Sequence, residues 1–475
     1  MPPTPQAPID IDASSFKQKV DLIIYAAHVI PVVPRGVVLS NHAVVVKSSR
    51  IVAVLPHDKA QQLFIGIEER HLPNHIVLPG LINLHTHSTM SLLRGLSDDK
   101  PLCNWLTEDI WPTEGKFVGP EFVKVGVTLA VAEMLRSGTT CCNEMYYFPD
   151  EMCEVLETTG FRGAVGLVVL DFPSPYGSGP ADYFCKALPY LEKYASGCHD
   201  LITVTMAPHA PYTVSDEHLQ TANVLARQHK VRVHMHLHET QRECEDSATQ
   251  NRNSMSCHQS AYKLRPLANL KRMGLLSEHL ICAHMTQLTA GEIEDIAQAG
   301  VHVAHCPSSN LKLASGLAPI TAMLERGVNV GIGTDSAASN NSLDMFSEMK
   351  LAAILAKAET KKCSSVPAAE ALQMATLNGA RALGLENDIG SIEVGKRADV
   401  IAVDCDNIEM LPMYNPINHI VYVAGREHVS DVWINGKHLL ANHKLMTIDE
   451  KALKMSVRKW AFDISAYRKQ HKAEQ

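Results

Sequence analysis

The sequence lacks several features that would assign the chain to other classes of protein. It has no excess of positive charge, since 43 Lys and Arg residues stand against 51 Asp and Glu residues, for a net charge of −8. That balance predicts no nucleic acid partner and no attraction to an anionic membrane. No apolar run approaches the roughly 18 residues that a membrane helix needs. The Pro-rich residues 1–16 also lack the charged and apolar regions of a signal peptide.

The cysteines carry no sign of a disulfide framework or of a zinc ribbon. The chain has 12 of them but no Cys-x-x-Cys pair. Two are adjacent, Cys141 and Cys142, in a segment that is typical of a buried strand. They are expected to be small, reduced, apolar residues, as in a reducing compartment. Together with the missing signal peptide and membrane span, this predicts a cytoplasmic protein.

The chain divides into three sections by pattern. Residues 1–74 contain short strand-like runs and predict the N-terminal part of a β-sandwich. Residues 75–389 alternate apolar strand-like runs with amphipathic segments, and eight such pairs predict an α/β fold, a (β/α)₈ TIM-like barrel. Residues 390–475 return to short strands with an Asn-Gly hairpin signal, and are predicted to complete the small β-sandwich and end in a helix.

Histidine is the residue type present in excess, with 24 copies. His85 and His87 end the run "LPGLINLHTH", and their spacing in a strand directs both side chains to one side. Alone, such a pair is more often two surface residues. However, polar side chains also end the other barrel strands: Asn143, Glu144, His209, His234, His236, His238, Glu239, His284, His305 and Asp335. A strand has no packing reason to end in a group that is costly to dehydrate, so these ends predict an active site at the barrel mouth.

The ligand types at these strand ends predict a metal site. Imidazole nitrogens from His85, His87 and His236 with one Asp335 oxygen suit a single divalent cation, zinc or ferrous iron. His238 has the spacing to compete with His236 for the ligand role. The fourth strand, "ITVTMAPH", contains no lysine that could bridge two metals when carboxylated, which favours one metal per chain. Three roles stay open: those of His234, His238 and His305.

The motifs "PGLINLHTH", "HLHET", "CAHM" and "GTDSAASNNSLDM" resemble those of the amidohydrolase superfamily. More narrowly, the chain is similar over nearly its whole length to the 5-methylthioadenosine/S-adenosylhomocysteine deaminases and their s-triazine hydrolase relatives. The resemblance implies four metal ligands: His85, His87, His236 and Asp335. It leaves His238 as a variable position and makes Glu239 the catalytic acid and base. It also implies a homodimer or a higher homo-oligomer.

The chemistry of deamination gives each polar residue a candidate role. A bound metal supplies an activated water at neutral pH. Glu239 can take a proton from that water and deliver it to the ring nitrogen of the base. Asp335 can pass a second proton to the departing ammonia, and His284 can stabilise the tetrahedral adduct. A solvated strand-end carboxylate is the weaker interpretation of Glu239.

The resemblance also implies residues that bind the substrate. Trp105 and Glu114 match a lid segment whose glutamate binds both ribose hydroxyls, and His209 matches a histidine that contacts the purine; Glu239 and Asp335 also face the substrate. The alternative is that Trp105 is core packing and Glu114 a surface charge.

The region after the third barrel strand departs from the family pattern in a way that bears on the substrate. No arginine occurs between Arg162 and Arg227, where relatives hold a homocysteine carboxylate. This favours 5'-methylthioadenosine over S-adenosylhomocysteine and adenosine. An s-triazine hydrolase, the alternative function, would need no ribose contact.

Overall fold

A computed structural model describes residues 17–195, 197, 199–249 and 262–474 of the chain. The Pro-rich residues 1–16, for which the sequence predicts no signal peptide, lie outside these ranges. Within the described residues, no helix combines the length and the apolar character that a membrane span requires.

The described strands form two eight-stranded sheets. The strands before the barrel are β1 (Gln18–Val29), β2 (Leu39–Lys47), β3 (Arg50–Pro56) and β4 (Phe64–Pro79). The barrel strands are β5 (Leu81–Thr86), β6 (Thr139–Glu144), β7 (Arg162–Val169), β8 (Ile202–Pro208), β9 (Arg232–Leu237), β10 (Leu280–His284), β11 (His302–His305) and β12 (Asn329–Ile332). The strands after the barrel are β13 (Val400–Asp404), β14 (Val429–Ile434), β15 (Lys437–Ala441) and β16 (Lys444–Leu445).

Both ends of the chain contribute to the first sheet, whose order is β16-β15-β14-β13-β4-β1-β2-β3. It is mixed, because β1 pairs parallel with β4 while β4 and β13 pair antiparallel. Side chains alternate between two buried faces, with Leu22 and Ile24 on one and Ile23 and Tyr25 on the other. The predicted hairpin is present, since Asn435 (φ 55) and Gly436 (φ 76) join β14 to β15 with the two positive φ angles of a type I′ turn.

The second sheet is the predicted parallel barrel, in which β5 to β12 lie side by side in chain order. Its first and last strands meet through side-chain and backbone hydrogen bonds. The Asn83 amide donates to Thr334 Oγ1 at 2.8 Å and accepts from the Thr334 N–H at 3.0 Å. The Asp335 N–H donates to the His85 carbonyl at 2.9 Å. The α/β barrel with a companion β-unit from both terminal segments is therefore confirmed.

Helices separate the barrel strands, as the alternating pattern predicts. The helices are α1 (His57–Leu63), α2 (Leu102–Asn104), α3 (Trp111–Phe117), α4 (Pro120–Arg136), α5 (Pro149–Thr159), α6 (Pro180–Tyr194), α7 (Asp216–His229), α8 (Gln241–Thr249), α9 (Pro266–Arg272), α10 (Ala290–Ala299), α11 (Pro307–Lys312), α12 (Ile320–Glu325), α13 (Met345–Thr360), α14 (Ala368–Met374), α15 (Leu377–Leu383), α16 (Pro416–Tyr422) and α17 (Glu450–Glu474). A π-helical turn, Trp105–Ile110, lies between α2 and α3. The segment from α2 to α3 follows β5 over the barrel mouth, and α17 packs against α4 and the short helix Ser88–Leu93.

Candidate active site

The four predicted metal ligands lie together at the carboxyl end of the barrel. One ligand atom from each of His85, His87, His236 and Asp335 lies within 4.8 Å of the other three. Asp335 Oδ1 is 3.4 Å from His85 Nε2 and 3.3 Å from His87 Nε2. His87 Nε2 is 3.3 Å from His236 Nε2. These three separations of 3.3–3.4 Å match the edges of a tetrahedron whose corners are about 2.0–2.1 Å from its centre, the distance of zinc ligands.

Hydrogen bonds orient the three imidazoles so that each Nε2 faces this group. The Nδ1 atoms are all engaged: that of His85 with His234 Nε2 at 2.9 Å, that of His87 with the Met145 carbonyl at 2.6 Å, and that of His236 with the His209 carbonyl at 2.9 Å. His85 Nε2 is buried and has no hydrogen-bond partner among the described residues. Leaving a buried polar atom without a partner costs free energy, so a ligand at His85 Nε2 would be stabilising. Hydrogen bonds at the Nδ1 atoms, such as those described above, are typical of histidines that bind a metal through Nε2. The residues therefore fit a divalent cation.

The charge state of the imidazoles agrees with this interpretation. Burial lowers the pKa of His85 to about 4 and that of His236 well below its ordinary value, so both rings are neutral at neutral pH. Burial also lowers the pKa of His87, but the Asp335 carboxylate outweighs it and raises that pKa to about 9. A cation beside Asp335 would displace this proton, because metal ions bind histidine in its neutral form.

One carboxylate oxygen of Asp335 is fixed by hydrogen bonds, and the other faces the imidazoles. Its Oδ2 accepts hydrogen bonds from the hydroxyls of Ser309 and Ser339, each at 2.6 Å. The residue has a positive φ of 61, which turns the backbone directly after β12 and brings the carboxylate toward the imidazoles. Oδ1 is then the oxygen that faces His85 and His87.

Glu239 and His284 face each other beside the ligand group. Glu239 Oε1 is 4.0 Å from His284 Nε2, and both side chains are buried. The other nitrogen of His284, Nδ1, is 2.8 Å from Asn310 Oδ1, which fixes the ring. Burial raises the pKa of Glu239, while the nearby His284 opposes that rise. Glu243 accepts the backbone N–H groups of His238 and Glu239 at 3.0 and 2.7 Å, so it holds the turn that carries Glu239.

The three histidines of open role have different surroundings. His234 contacts the ligand group through His85, whose Nδ1 is 2.9 Å from His234 Nε2. His238 turns away from it, because its Nε2 accepts the Leu267 N–H at 3.0 Å, and it is not among the clustered ligand atoms. His305 is buried, and neither of its ring nitrogens has a hydrogen-bond partner in the described part of the chain. Of the two candidates on β9 and directly after it, His236 is therefore the one placed to bind a metal.

The predicted substrate residues line the pocket that opens onto this group. Trp105, Glu114 and His209 share that pocket with Glu239, His284 and three of the four ligands, which are His87, His236 and Asp335. Trp105 is packed in the core and donates its Nε1–H to the Ser97 carbonyl at 3.1 Å, yet it also lines the pocket. Glu114 is only 7% exposed, so the alternative of a surface charge is wrong for it.

Glu114 is held by a residue that the sequence analysis did not single out. The Tyr146 hydroxyl donates to Glu114 Oε1 at 2.5 Å, and both residues line the pocket. Burial raises the pKa of Glu114 to about 7, against the hydrogen bond from Tyr146 and the charge of His87. The carboxyl group is thus dehydrated, and its second oxygen, Oε2, has no protein partner within the described residues.

Most of the rest of the pocket wall is apolar. No Lys or Arg is found among the described residues that line it. Its apolar side includes Leu106, Ile110, Trp111, Tyr147, Val168 and Leu170. The wall therefore offers dispersion contacts to a substituent but no cation for a carboxylate.

Comparison with known proteins agrees with the barrel and with the ligand group. The family model described as "Amidohydrolase family" matches residues 76–439, which is most of the chain. The chain belongs to the amidohydrolase family. The match starts within β4 and spans the whole barrel.

Named relatives of this amidohydrolase are deaminases. It is 40% identical over 449 residues to a 5-methylthioadenosine/S-adenosylhomocysteine deaminase of Teredinibacter turnerae, covering 94% of this chain and 99% of that protein. It is 40% identical over 379 residues to a 5'-deoxyadenosine deaminase of Methanosphaera stadtmanae, covering 80% and 85%. A crystal structure of an adenosine deaminase from Xanthomonas campestris with bound zinc superposes with a TM-score of 0.91 at 46% identity, covering 95% of this chain and 100% of the other. The atrazine chlorohydrolase TrzN of Arthrobacter aurescens has a TM-score of 0.83 but 22% identity, so this likeness shows the fold alone.

The sequence analysis does not single out several residues that shape the amidohydrolase site. They are Ser309 and Ser339 at Asp335, Asn310 at His284, Glu243 at the Glu239 turn, and Tyr146 at Glu114. The available signal was position, because each follows a barrel strand or begins the next helix. The partners of Ser309, Asn310 and Tyr146, however, follow other strands.

Proposed function

We propose that this amidohydrolase is a metal-dependent hydrolytic deaminase that replaces the 6-amino group of an adenine nucleoside and releases ammonia. The observation that carries the proposal is a buried carboxylate, Glu114, in the same pocket as the metal-ligand group and Glu239. A carboxylate with a free oxygen suits two neighbouring hydroxyls such as those of ribose. The names of the relatives support the same class of substrate.

The metal is one divalent cation per chain, zinc in preference to ferrous iron. Three imidazole nitrogens and one carboxylate oxygen form a donor set that suits zinc, and the structure from Xanthomonas campestris contains zinc. When bound, the cation lowers the pKa of a water and supplies a nucleophile at neutral pH. His85, His87, His236 and Asp335 would hold it.

The chain's own residues move the protons. Glu239 accepts a proton from the attacking water and delivers it to N1 of the purine, while the new C–O bond forms at C6. Asp335 accepts the second proton and passes it to the amino nitrogen, so that the C6–N bond breaks and ammonia leaves. His284 Nε2, fixed by Asn310 at the other ring nitrogen, stabilises the tetrahedral adduct.

The nucleoside is bound by the lid and by the strand ends. His209 is positioned for the purine, since its Nδ1 is 2.9 Å from Thr213 Oγ1 and burial lowers its pKa to about 3, which keeps the ring neutral. Trp105 closes the pocket, and Glu114 binds the ribose hydroxyls. The apolar wall accommodates a 5'-methylthio group better than a homocysteine carboxylate, so 5'-methylthioadenosine is the preferred substrate, ahead of S-adenosylhomocysteine and adenosine.

Ammonia release from a panel of nucleosides tests the proposal. The panel holds 5'-methylthioadenosine, adenosine, S-adenosylhomocysteine, free adenine and an s-triazine. 5'-Methylthioadenosine should give the highest kcat/KM, and free adenine should be poor. Turnover of the triazine alone would overturn the proposal in favour of a triazine hydrolase.

A variant at Glu114 adds a test of the ribose contact. Each lost charge-assisted hydrogen bond costs about 1.5–3 kcal/mol, so Glu114→Ala should lower kcat/KM for 5'-methylthioadenosine roughly ten- to a hundredfold or more. The 2',3'-dideoxy analogue should lose little further when Glu114 is gone. Equal losses on both substrates would make Glu114 structural.

The homodimer or higher homo-oligomer that the family resemblance implies stays a prediction. Sedimentation of the purified chain at several concentrations measures it directly.

A further inference from the structure

The C-terminal helix α17 contacts the lid that carries the proposed nucleoside-binding residues. The Arg468 guanidinium donates to Asp109 Oδ1 and to the Leu96 carbonyl. At the other end of the lid, the rings of Trp460 and Tyr467 lie edge-on to Phe117, with centroid distances of 6.3 and 5.4 Å. The helix therefore holds the lid on both sides of Trp105 and Glu114.

Asp109 connects this contact to Trp105. The carboxylate is only 6% exposed, and its Oδ2 accepts from Ser97 Oγ at 2.8 Å and from Lys100 Nζ at 2.6 Å. The carbonyl of the same Ser97 accepts the Trp105 indole N–H at 3.1 Å. A continuous chain of hydrogen bonds thus runs from Arg468 to the indole that closes the pocket.

Asp109 is also connected to Glu114, through a hydrogen bond with the neighbouring residue Thr113. Its carbonyl accepts the Thr113 hydroxyl at 2.6 Å, and Thr113 directly precedes Glu114 in the same turn. The backbone here is π-helical over Trp105–Ile110. Such turns are rare and frequently occur at functional sites, and this one carries both Trp105 and Asp109.

We propose that Arg468 is a positioning residue for substrate binding, acting through Asp109 to hold Trp105 and Glu114 where they meet the nucleoside. The proposal rests on the proposed function, in which those two residues contact the substrate. Arg468 itself is on the far side of Asp109 and is not among the described residues that line the pocket. Its effect should therefore fall on substrate binding and leave the chemical step unchanged.

Three variants test this on the full-length, metal-loaded enzyme. Arg468→Met keeps the aliphatic stem but removes the donors, and should raise KM for 5'-methylthioadenosine about tenfold with kcat nearly unchanged. Arg468→Lys should recover part of the loss, because an ammonium can reach the carboxylate but lacks the guanidinium fork that also reaches the Leu96 carbonyl. Arg458→Met, at an exposed arginine of the same helix, is the matched control and should behave as wild type.

Amide hydrogen exchange of residues 97–117 provides a readout that does not depend on activity. Arg468→Met should exchange faster in this segment, with the metal content unchanged. An unchanged KM would overturn the proposal, as would an equal effect of Arg458→Met or a fall in kcat and thermal midpoint without a rise in KM. If wild type turns over no nucleoside, the proposed function fails, and faster exchange then still reports whether Arg468 holds the lid.

Discussion

Glu239 is the residue on which the proposed proton transfers depend. Its carboxyl group is buried beside His284, and its backbone is held by Glu243. Glu239→Gln keeps the shape but removes the acid–base function, so we expect kcat to fall about 10²–10⁴-fold while the metal stays bound. Ammonia release and elemental analysis on the same sample check this.

The control for that experiment is an exposed glutamate nearby in the chain. Glu245 lies on the surface of α8, so Glu245→Gln should have normal kcat and metal content. A Glu239→Gln enzyme with its metal and near-normal kcat would show that another residue moves the protons, with His284 the first to examine.

Tyr146 lowers the pKa of Glu114 and also orients its carboxyl group. Burial raises that pKa to about 7, and the Tyr146 hydrogen bond lowers it. In Tyr146→Phe the pKa should therefore rise further, so that a larger fraction of Glu114 is protonated at neutral pH and cannot accept both ribose hydroxyls. We expect the acidic limb of the kcat/KM profile for 5'-methylthioadenosine to move to higher pH.

A double mutant separates this effect from simple loss of packing. In a Glu114→Gln background, Tyr146→Phe has no carboxyl group to act on, so the shift of the acidic limb should disappear. A limb that moves equally in both backgrounds would contradict the assigned role of Tyr146.

At the residue scale, sequence patterns identify the metal ligands more easily than they identify the residues that orient functional side chains through hydrogen bonds. Strand parity places His85 and His87 on one side, and the strand end identifies Asp335, because both signals are local. Tyr146 follows β6, but its partner Glu114 lies on the lid. The hydrogen bond between them depends on how the lid packs against the barrel, and no local spacing in the sequence predicts that packing.

At the scale of single elements, α13 supports the helix α11 and the loop after β12, which carry the hydroxyl partners of Asp335. Its buried Glu348 accepts the Ser308 hydroxyl at 2.5 Å, the Ser308 N–H at 3.0 Å and the Asn340 amide at 2.9 Å. Ser308 and Asn340 directly adjoin the two serines that hold Asp335. One carboxyl group thus joins α11, which follows β11, to the loop after β12.

Glu348 should make stability depend on pH. Burial raises its pKa from 4.5 to about 7, so the folded protein keeps this proton over a range in which the unfolded chain releases it. The stabilisation from this proton is complete below pH 4.5 and is lost as the pH rises toward 7. The free energy of unfolding of wild type relative to Glu348→Gln should fall by up to about 3 kcal/mol across that range.

Urea unfolding of both proteins at about pH 5 and about pH 7.5 measures this difference. The comparison with Glu348→Gln cancels the other buried carboxyl groups, which are common to both. A difference that is constant with pH would mean that Glu348 has an ordinary pKa in the folded protein.

Among the elements, the strands, the long helices and the position of the lid were predictable, whereas the conformation of the lid was not. The amphipathic segment "AGEIEDIAQAG" forms α10, which begins with the Thr289–Glu292 capping box and ends at Gly300 with φ +72. These are local signals. The π-helical turn of the lid has no comparable signature in the sequence. The ion pair between Arg468 and Asp109 joins residues that are far apart in the sequence, so no local pattern predicts it.

At the scale of the whole molecule, contacts between distant parts of the chain hold the barrel to the companion sheet. The buried Arg162, at the start of β7, pairs with Asp399, next to β13, at 2.6 Å. Asp399 also accepts the Asn435 N–H at 2.7 Å, in the β14–β15 turn. The barrel is closed by His85 on β5 and Asp335 after β12, so a bound cation would link its first, fifth and last strands.

The metal should therefore stabilise the entire fold as well as enable catalysis. A ligand that binds only the folded state adds about 4 kcal/mol when it is present at about 1,000 times its Kd. Treatment with a chelator should abolish deamination and lower the thermal midpoint, and zinc should restore both. His236→Ala should show no zinc-dependent shift of the thermal midpoint, whereas His443→Ala, at an exposed histidine, should shift as wild type does.

Elemental analysis of protein purified without added metal should give close to one equivalent per chain, since the fourth barrel strand has no lysine to bridge a second ion. A reproducible value near two at full activity would contradict the single-metal site.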